Sequence, residues 1–402
     1  MDLPFLLHAE AIAEGNTEQE ARRARYAFFS RQPFPVATGH TLDDQAETVL
    51  YRFLRGAGTA GLSAIRPVTE AGIVRPLLEI RRDEIRNWLR ERDIAWREDR
   101  SNANPDFQRK RIRLEHMPAL TATMNPSLAE TLASTAAWAQ GEEDYWCAEI
   151  ARLEPEYLMQ APERVFIRTK PFVLLPVAVQ RRLLRRAIET VRGSLRSIDF
   201  RHVEAVRPLM STQEGSGRIQ LPGLDIYRSF DWLRIAPTGF DARIERNFEA
   251  PVVIPGRTEV LAPHLTIDAE LVDGSRVYTS EVVDLLDWDR CAGSLLLRNW
   301  RPGDQVHAQF RSGVEKVKTL FQEFRIPLWE RRSWPVITDG PQIVWTRRFG
   351  VAKQFAASPA SRRVLAIREV RESNSPLPAS HTAGKSLELK RARKRWTGAE
   401  VL

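Results

Sequence analysis

Phe34-Pro35-Val36-Ala37-Thr38-Gly39-His40-Thr41-Leu42-Asp43-Asp44-Gln45-Ala46-Glu47-Thr48 is the stretch on which the fold turns. Phe34 to Thr38 is a short apolar run ending in Gly39, the pattern of a buried strand feeding a turn. Thr41 then stands where a helix N-cap is wanted, and Thr41-x-x-Asp44 has the form of a capping box. The helix runs through Arg55 and is ended by Gly56, Gly58 and Gly61. At about 100° per residue, Asp44, Glu47 and Tyr51 fall within about 60° of one another, while Ala46, Val49, Leu50 and Phe53 occupy the opposite arc. One face is expected to be core and the other to present carboxylates. His40 belongs to the turn at the strand's carboxyl end, which is where open α/β sheets bind ligands. Two acids and a histidine there could hold a magnesium ion or position a nucleophile. Acids in a first turn also simply suit the helix dipole, so spacing alone leaves both readings open.

Working outward, Thr17-Glu18-Gln19-Glu20 opens an earlier helix with a second capping-box pattern. Ile73-Val74-Arg75-Pro76-Leu77 reads as another strand, and Asp83 to Arg92 as a helix. Alternating short strands and helices imply an α/β domain with a parallel sheet. From about Asn125 the texture changes to long helical periodicity, through Leu128, Leu132, Ala136 and Ile150, and a basic amphipathic helix follows at Gln180 to Ile188. After Gly215-Ser216-Gly217 the period falls to two, which predicts a small hairpin. Beyond Pro251 the pattern is strand-rich to about Phe355, and from Glu372 a Ser, Pro, Ala, Lys and Arg-rich segment reads as a disordered basic tail.

A chain of 402 residues has room for two or three domains, at roughly 100–200 residues each. The net charge of +8 and isoelectric point near 9.7 come mostly from arginine, whose planar fork pairs with phosphate, so a polyanionic partner is favoured. Cys147 and Cys291 have no Cys or His neighbours at metal-ligand spacing, which argues against a zinc site or disulfide framework. The N-terminus lacks the basic region of a signal peptide, and no stretch approaches the roughly 20 apolar residues of a membrane span. A cytoplasmic protein is expected.

Several further motifs stand in order: Ala24-Arg25-Tyr26 with Phe28-Phe29, Leu54-Arg55-Gly56-Ala57-Gly58, Arg75-Pro76-Leu77-Leu78, Trp96-Arg97-Glu98-Asp99-Arg100-Ser101-Asn102 and Arg111-Ile112-Arg113. Together with Ala37 to Thr48 they resemble the tRNA(Ile)-lysidine synthases, members of the N-type ATP pyrophosphatase, or PP-loop, superfamily. Fainter echoes continue through Leu221-Pro222-Gly223, Arg298-Asn299-Trp300-Arg301-Pro302-Gly303-Asp304 and Ile326-Pro327-Leu328-Trp329. The resemblance implies an incomplete parallel-sheet PP-loop domain over residues 1–120. A helical tRNA-binding domain with a small β appendage would follow over 121–245 and a mostly β tRNA-binding domain over 250–360; the basic tail, over 361–402, lies outside the resemblance. The resemblance implies a carbon–nitrogen ligase: ATP adenylates O2 of the wobble cytidine of an isoleucine tRNA, and lysine's amine displaces AMP at C2, changing the codon read from AUG to AUA. ATP, L-lysine and tRNA(Ile) are the implied partners, Mg2+ the implied metal, and a homodimer is among the assemblies it allows. By the same resemblance Asp44 and Glu47 lie at the cytidine and lysine end of the site, with His40 and Asp43 lining it. Arg22, Arg25 and Gly39 match positions near the nucleotide, and Arg111 and Arg113 match arginines closing the domain on substrate. Arg181 and Arg185, on the basic helix, are expected to contact tRNA.

The family also begins with a strand and a Ser-Gly-Gly-x-Asp-Ser loop whose N–H groups cradle pyrophosphate. This sequence contains no such loop. The expectation is that the natural protein starts upstream of Met1 and that the chain as given is inactive without that loop; a stop codon close upstream would overturn it. The rival expectation is a non-catalytic tRNA-binding protein, resting on Arg181, Arg182, Arg185 and Arg186, on Lys316 and Lys318 beside Phe321, and on Lys390, Arg391, Arg393, Lys394 and Arg395. Phosphate contacts of this kind give affinity with steep salt dependence.

Overall fold

A computed structural model describes residues 6, 7, 9, 17–97, 108–212, 215–243, 247–260, 265–274 and 284–370. The chain divides into two compact units, 1–151 and 152–402. The first unit runs α1 (Thr17–Phe29), β1 (Val36–Ala37), α2 (Leu42–Leu54), α3 (Thr59–Leu62), β2 (Ile73–Val74), α4 (Arg82–Arg90), α5 (Gln108–Arg111), a π-helical turn (Ile112–His116), α6 (Met117–Thr123) and α7 (Leu128–Tyr157). β1 and β2 are parallel, with Val36 opposite Ile73 and Ala37 opposite Val74. Their shared carboxyl edge carries the turn Gly39–Thr41 on one strand and Arg75 on the other.

α2 starts where Thr41 caps it. The Thr41 hydroxyl accepts from the Asp44 N–H, and the Asp44 carboxylate accepts from the Thr41 N–H in return, the reciprocal form of a capping box. Ala46 and Val49 are buried as expected, but Phe53 is 63 % exposed. The buried side of α2 is instead completed by Gln45, Glu47 and Thr48. Gln45 is accommodated because its amide donates to the Ile65 carbonyl at 2.9 Å and accepts from the Ile65 N–H at 2.8 Å. At the end of the π turn the Met117 N–H reaches the Ile112 carbonyl five residues back, and Pro118, which has no N–H to donate, follows in the first turn of α6.

In the second unit β3 (Met159–Ala161), β4 (Arg164–Arg168), α8 (Thr169–Val173), α9 (Val177–Arg192), α10 (Phe200–Ser211), β5 (Ser216–Leu221), β6 (Leu224–Ser229), β7 (Trp232–Pro237) and α11 (Phe240–Arg243) come first. The expected hairpin is part of a larger antiparallel sheet of order β3-β4-β7-β6-β5. Val165, Ile167, Leu233 and Ile235 alternate onto one of its faces, and Leu183, Leu184, Ala187 and Ile188 of α9 are buried with them. Pro222-Gly223 makes the two-residue turn between β5 and β6, with Gly223 at φ +77°, a backbone region that glycine enters without steric cost.

The chain continues with β8 (Glu249–Pro251), β9 (Gly256–Val260), β10 (Leu265–Asp273), β11 (Asp284–Asp287), β12 (Leu295–Asn299), β13 (Gln305–Val306), β14 (Glu315–Lys316), α12 (Val317–Glu323), α13 (Leu328–Arg331), β15 (Pro335–Asp339), β16 (Gln342–Thr346), β17 (Gly350–Val351) and β18 (Arg363–Val370). Two sheets, β17-β16-β15-β12-β8 and β11-β18-β10-β9, share one hydrophobic core with Val317, Leu320 and Phe321 of α12. Two sequence expectations are corrected here. β18 lies between β10 and β11, so the β unit does not stop at 360; the tail expected beyond it, from 371, falls outside the described residues. Phe321, expected to serve RNA beside Lys316 and Lys318, is fully buried against Trp300 and Trp334. The Arg298–Asp304 motif is a self-locked turn: Arg298 donates to both Asp304 oxygens at 2.8 and 2.9 Å, and Asp304 accepts from the Arg301 N–H at 2.7 Å.

Candidate active site

The acidic face of α2 is closed by arginines from two other segments. Arg113, on the π turn, donates from Nε to one oxygen of Glu47 at 2.7 Å and from Nη2 to the other at 2.8 Å. The same Nη2 reaches Asp44 at 2.7 Å. Arg82, in the first turn of α4, lies 3.2 Å from the same Asp44 oxygen and 3.5 Å from Glu47. Its backbone N–H donates to Asp43 at 2.7 Å, and the Arg81 guanidinium stands 3.3 Å from the other Asp43 oxygen. The second Asp44 oxygen accepts from the Thr41 N–H and hydroxyl at 2.9 and 3.0 Å. Asp44 therefore caps its helix with one oxygen and faces cations with the other.

Glu47 is 2 % exposed, a burial that a carboxylate tolerates only when paired. Burial pushes the Asp44 carboxyl up, but the Thr41 hydrogen bonds and the Arg82 and Arg113 charges outweigh it, so Asp44 sits below the usual carboxylate range. Burial likewise works against the charge of Arg113, and Glu47, Asp44 and Asp43 overcome it, leaving the guanidinium more firmly protonated than usual. Three carboxylates face three guanidiniums, and each of the six carboxylate oxygens has a partner. This donor set does not fit a resident Mg2+, which needs hard oxygens free to coordinate it.

The remaining expected residues are placed as follows. The His40 ring Nδ1 is 2.9 Å from the Thr38 hydroxyl, half-buried at the strand's end. Gly39 leaves open space where a Cβ would stand, at the same turn. Arg25 is exposed on α1, and the side chain of Arg22 is outside the described residues. Arg111 does not join the site: it points to Glu115, 3.6 Å away, as an exposed pair. Arg181 and Arg185 belong to the second unit. Arg181 donates to Glu204 at 2.7 Å and lies over the Phe200 ring, so it is held within the helical module. Arg185 is half-exposed.

Sequence reasoning missed Arg81, Arg82 and Arg109, the last of which donates to the Thr48 hydroxyl at 2.9 Å. For the first two a signal existed. Basic residues at a helix N-terminus oppose the dipole, so two consecutive arginines at the start of α4 imply acids close by.

The chain matches three family models: a PP-loop domain over residues 6–120, a TilS substrate binding domain over 168–234 and a TilS substrate C-terminal domain over 295–367. A tRNA(Ile)-lysidine synthase from Solibacter usitatus is 51 % identical over 382 residues, covering 92 % of this chain and 86 % of that one. Proteins of the same name from Symbiobacterium thermophilum and Geobacter sulfurreducens are each 34 % identical; they cover 88 % and 91 % of this chain, and 77 % and 81 % of their own lengths. No helix among the described residues is long and apolar enough to cross a membrane. The acid-bearing helix after a parallel strand, the two substrate modules that follow it in sequence, and relatives of which 77–86 % of the length is covered show that the chain belongs to the tRNA(Ile)-lysidine synthase family.

Proposed function

We propose that the chain ligates L-lysine to C2 of the wobble cytidine of tRNA(Ile), with ATP as the activating substrate. In that reaction the cytidine O2 is adenylated with loss of pyrophosphate. Lysine's ε-amine then bonds to C2 as the C2–O2 bond breaks and AMP leaves, and the amine releases its protons. The observation that carries the reading is the arginine-held acid pair at the carboxyl edge of the parallel strands. Asp44 and Glu47 would take a primary ammonium by exchange with the Arg113 guanidinium that holds them. With a lowered pKa, Asp44 stays ionised at neutral pH and is a weak proton acceptor, so its role is to hold and aim the amine, with the proton passing to water. Asp43 fixes the start of α4 through the Arg82 N–H, which keeps Arg82 on Asp44. Magnesium would accompany the phosphates of ATP and not the chain's own carboxylates. His40 and Gly39 border the edge on which a nucleotide would lie, Arg25 would serve the nucleotide from the exposed side of α1, and Arg185 would meet RNA from the basic helix.

The test is incorporation of labelled lysine into a tRNA(Ile) transcript, with ATP converted to AMP and pyrophosphate. ATP-dependent incorporation supports the reading. RNA binding without incorporation at saturating ATP and lysine would replace it with the binding-only alternative.

A further inference from the structure

On the other flank of α2 the first unit encloses a cavity of about 660 Å³, lined among others by Tyr26, His40, Thr48, Arg66, Arg75 and Arg109. That size lies within the range of small-ligand sites. Its walls are unusually basic. Arg75 is 7 % exposed, yet its guanidinium donates to a backbone carbonyl, that of Arg66, at 2.6 Å and to the Tyr26 hydroxyl at 3.2 Å. Its buried Nε finds no partner among the described residues. A buried guanidinium bonded only to neutral oxygens costs solvation energy that an anion would restore. Arg109 faces the same space from Thr48. Of the two acids on the wall, Asp144 is already joined to Arg66 at 2.6 Å, which leaves Glu70.

We propose that this cavity binds one nucleotide of the RNA strand beside the target base, its phosphodiester on Arg75 and Arg109 and its base against Tyr26. The assignment rests on the proposed function and extends it to a second subsite. A strand entering here is close to the acids, because Thr48 is one helical turn from Asp44 and lines the cavity. RNA fits better than a nucleoside triphosphate. Among the described residues no glycine lines the cavity and no backbone N–H cradle of the kind triphosphates use is formed there, whereas a guanidinium pair with an aromatic ring is how single-stranded nucleotides are held.

Cys147 supplies the readout, because it is exposed and lines the same cavity. The second thiol, Cys291, has its pKa pushed up to about 12 by burial and by Asp339 and Asp287, and so stays silent toward alkylation near neutral pH. The experiment measures alkylation of Cys147 in the full chain with an anticodon stem-loop RNA or with ATP. It is paired with RNA affinity over a salt series for wild type, Arg109→Gln and Arg75→Lys. The expected result is protection by RNA and not by ATP. Each variant should bind RNA about tenfold more weakly, with a salt slope about 0.7 shallower for Arg109→Gln. Replacing the phosphates flanking the target cytidine one at a time by neutral methylphosphonate should weaken wild-type binding at one position and leave Arg109→Gln unaffected there. Protection by ATP alone, or a methylphosphonate penalty identical in wild type and variant, overturns the assignment while leaving lysine ligation standing. If wild type binds no RNA at all, the functional reading itself fails. Circular dichroism of each variant separates lost binding from lost folding.

Discussion

Arg113→Ala should expose how far the acid pair depends on its internal cation. The substitution removes three hydrogen bonds, two to Glu47 and one to Asp44, and leaves a carboxylate that is 2 % exposed facing Arg82 alone. Stripping one partner from a fully buried ion pair costs about 3–5 kcal/mol. Arg113 retains 28 % side-chain exposure, and Arg82 stays within 3.5 Å of both acids, so the expected loss is about 2–3 kcal/mol. For a unit of this size that corresponds to a fall in melting temperature of about 5–10 °C, read by circular dichroism. Arg113→Lys keeps the charge but not the fork and should recover about half of the loss. The acid dependence follows from the lowered pKa of Asp44. A depressed carboxyl stabilises the fold fully above its unfolded value, about pH 4, and the contribution disappears as pH falls through the lower folded value. Without Arg113 the folded value rises toward the ordinary one, so the gap between wild type and variant should narrow below about pH 4. A variant within about 0.5 kcal/mol of wild type at pH 7, or a gap that stays constant into acid, would refute the reasoning.

Other outcomes follow from the same geometry. Glu47→Gln, nearly isosteric, should lower lysine ligation about 100-fold or more while RNA affinity changes little, measured by labelled-lysine turnover beside filter binding. Gln45→Leu leaves the half-buried Ile65 N–H without its acceptor and should cost about 1–2 kcal/mol in urea unfolding. Asp304→Ala leaves Arg298, which is 8 % exposed, with the Asn299 carbonyl but no carboxylate, and should destabilise the second unit by about 3 kcal/mol; unchanged stability would show that the motif loop is not self-locked. At pH 8 a maleimide should modify Cys147 and spare Cys291, as read by peptide mass, since only the latter thiol is pushed up to about 12.

The legible part of this protein was the part written locally. The turn at Gly39, the Thr41 cap and the helix after it depend on residues within one turn of each other, and they stand where their pattern placed them, but the strand expected buried over Phe34 to Thr38 is only Val36–Ala37, with Ala37 exposed and Phe34 60 % exposed. What closes the site was not legible. Arg113 reaches Glu47 from 66 positions along the chain, and its approach depends on a π turn that a helical wheel cannot anticipate. The wheel also misassigned Phe53, because it registers where apolar residues gather on a helix but not which arc the neighbouring segments cover. Gln45 and Glu47 were buried instead, each by partners distant in sequence. β18 escaped for another reason: its Val364, Leu365 and Ile367 are buried within a sheet, but the Ser and Pro-rich sequence just beyond obscured so short a run. Arg111 and Arg113, two residues apart in one motif, separate because on a helical segment such neighbours diverge in direction. One reaches the acids and the other pairs, among the described residues, with Glu115.

The closed acid pair also bears on substrate choice under the proposed function. Its carboxylates are already withdrawn from water by a cation of the chain itself, so an incoming ammonium does not have to strip them bare; it exchanges with a guanidinium, and net charge in the site is conserved. An uncharged side chain of lysine's length offers no such exchange. If it displaced Arg113 it would leave Glu47 buried beside Arg82 alone, at a cost of about 2–3 kcal/mol. That cost corresponds to discrimination of about 30- to 150-fold before any loss of reactivity is counted. Norleucine, which matches the aliphatic stem without the amine, should therefore fail to inhibit lysine incorporation at concentrations where a lysine analogue that keeps its ε-ammonium competes fully. In Arg113→Ala only Arg82 remains on the acids, and lysine should bind more tightly because it supplies the missing cation, whereas norleucine supplies none. Equal inhibition by norleucine and the charged analogue in wild type would mean that the acid pair does not read the ammonium, and that Arg113 holds the two acids for the fold alone.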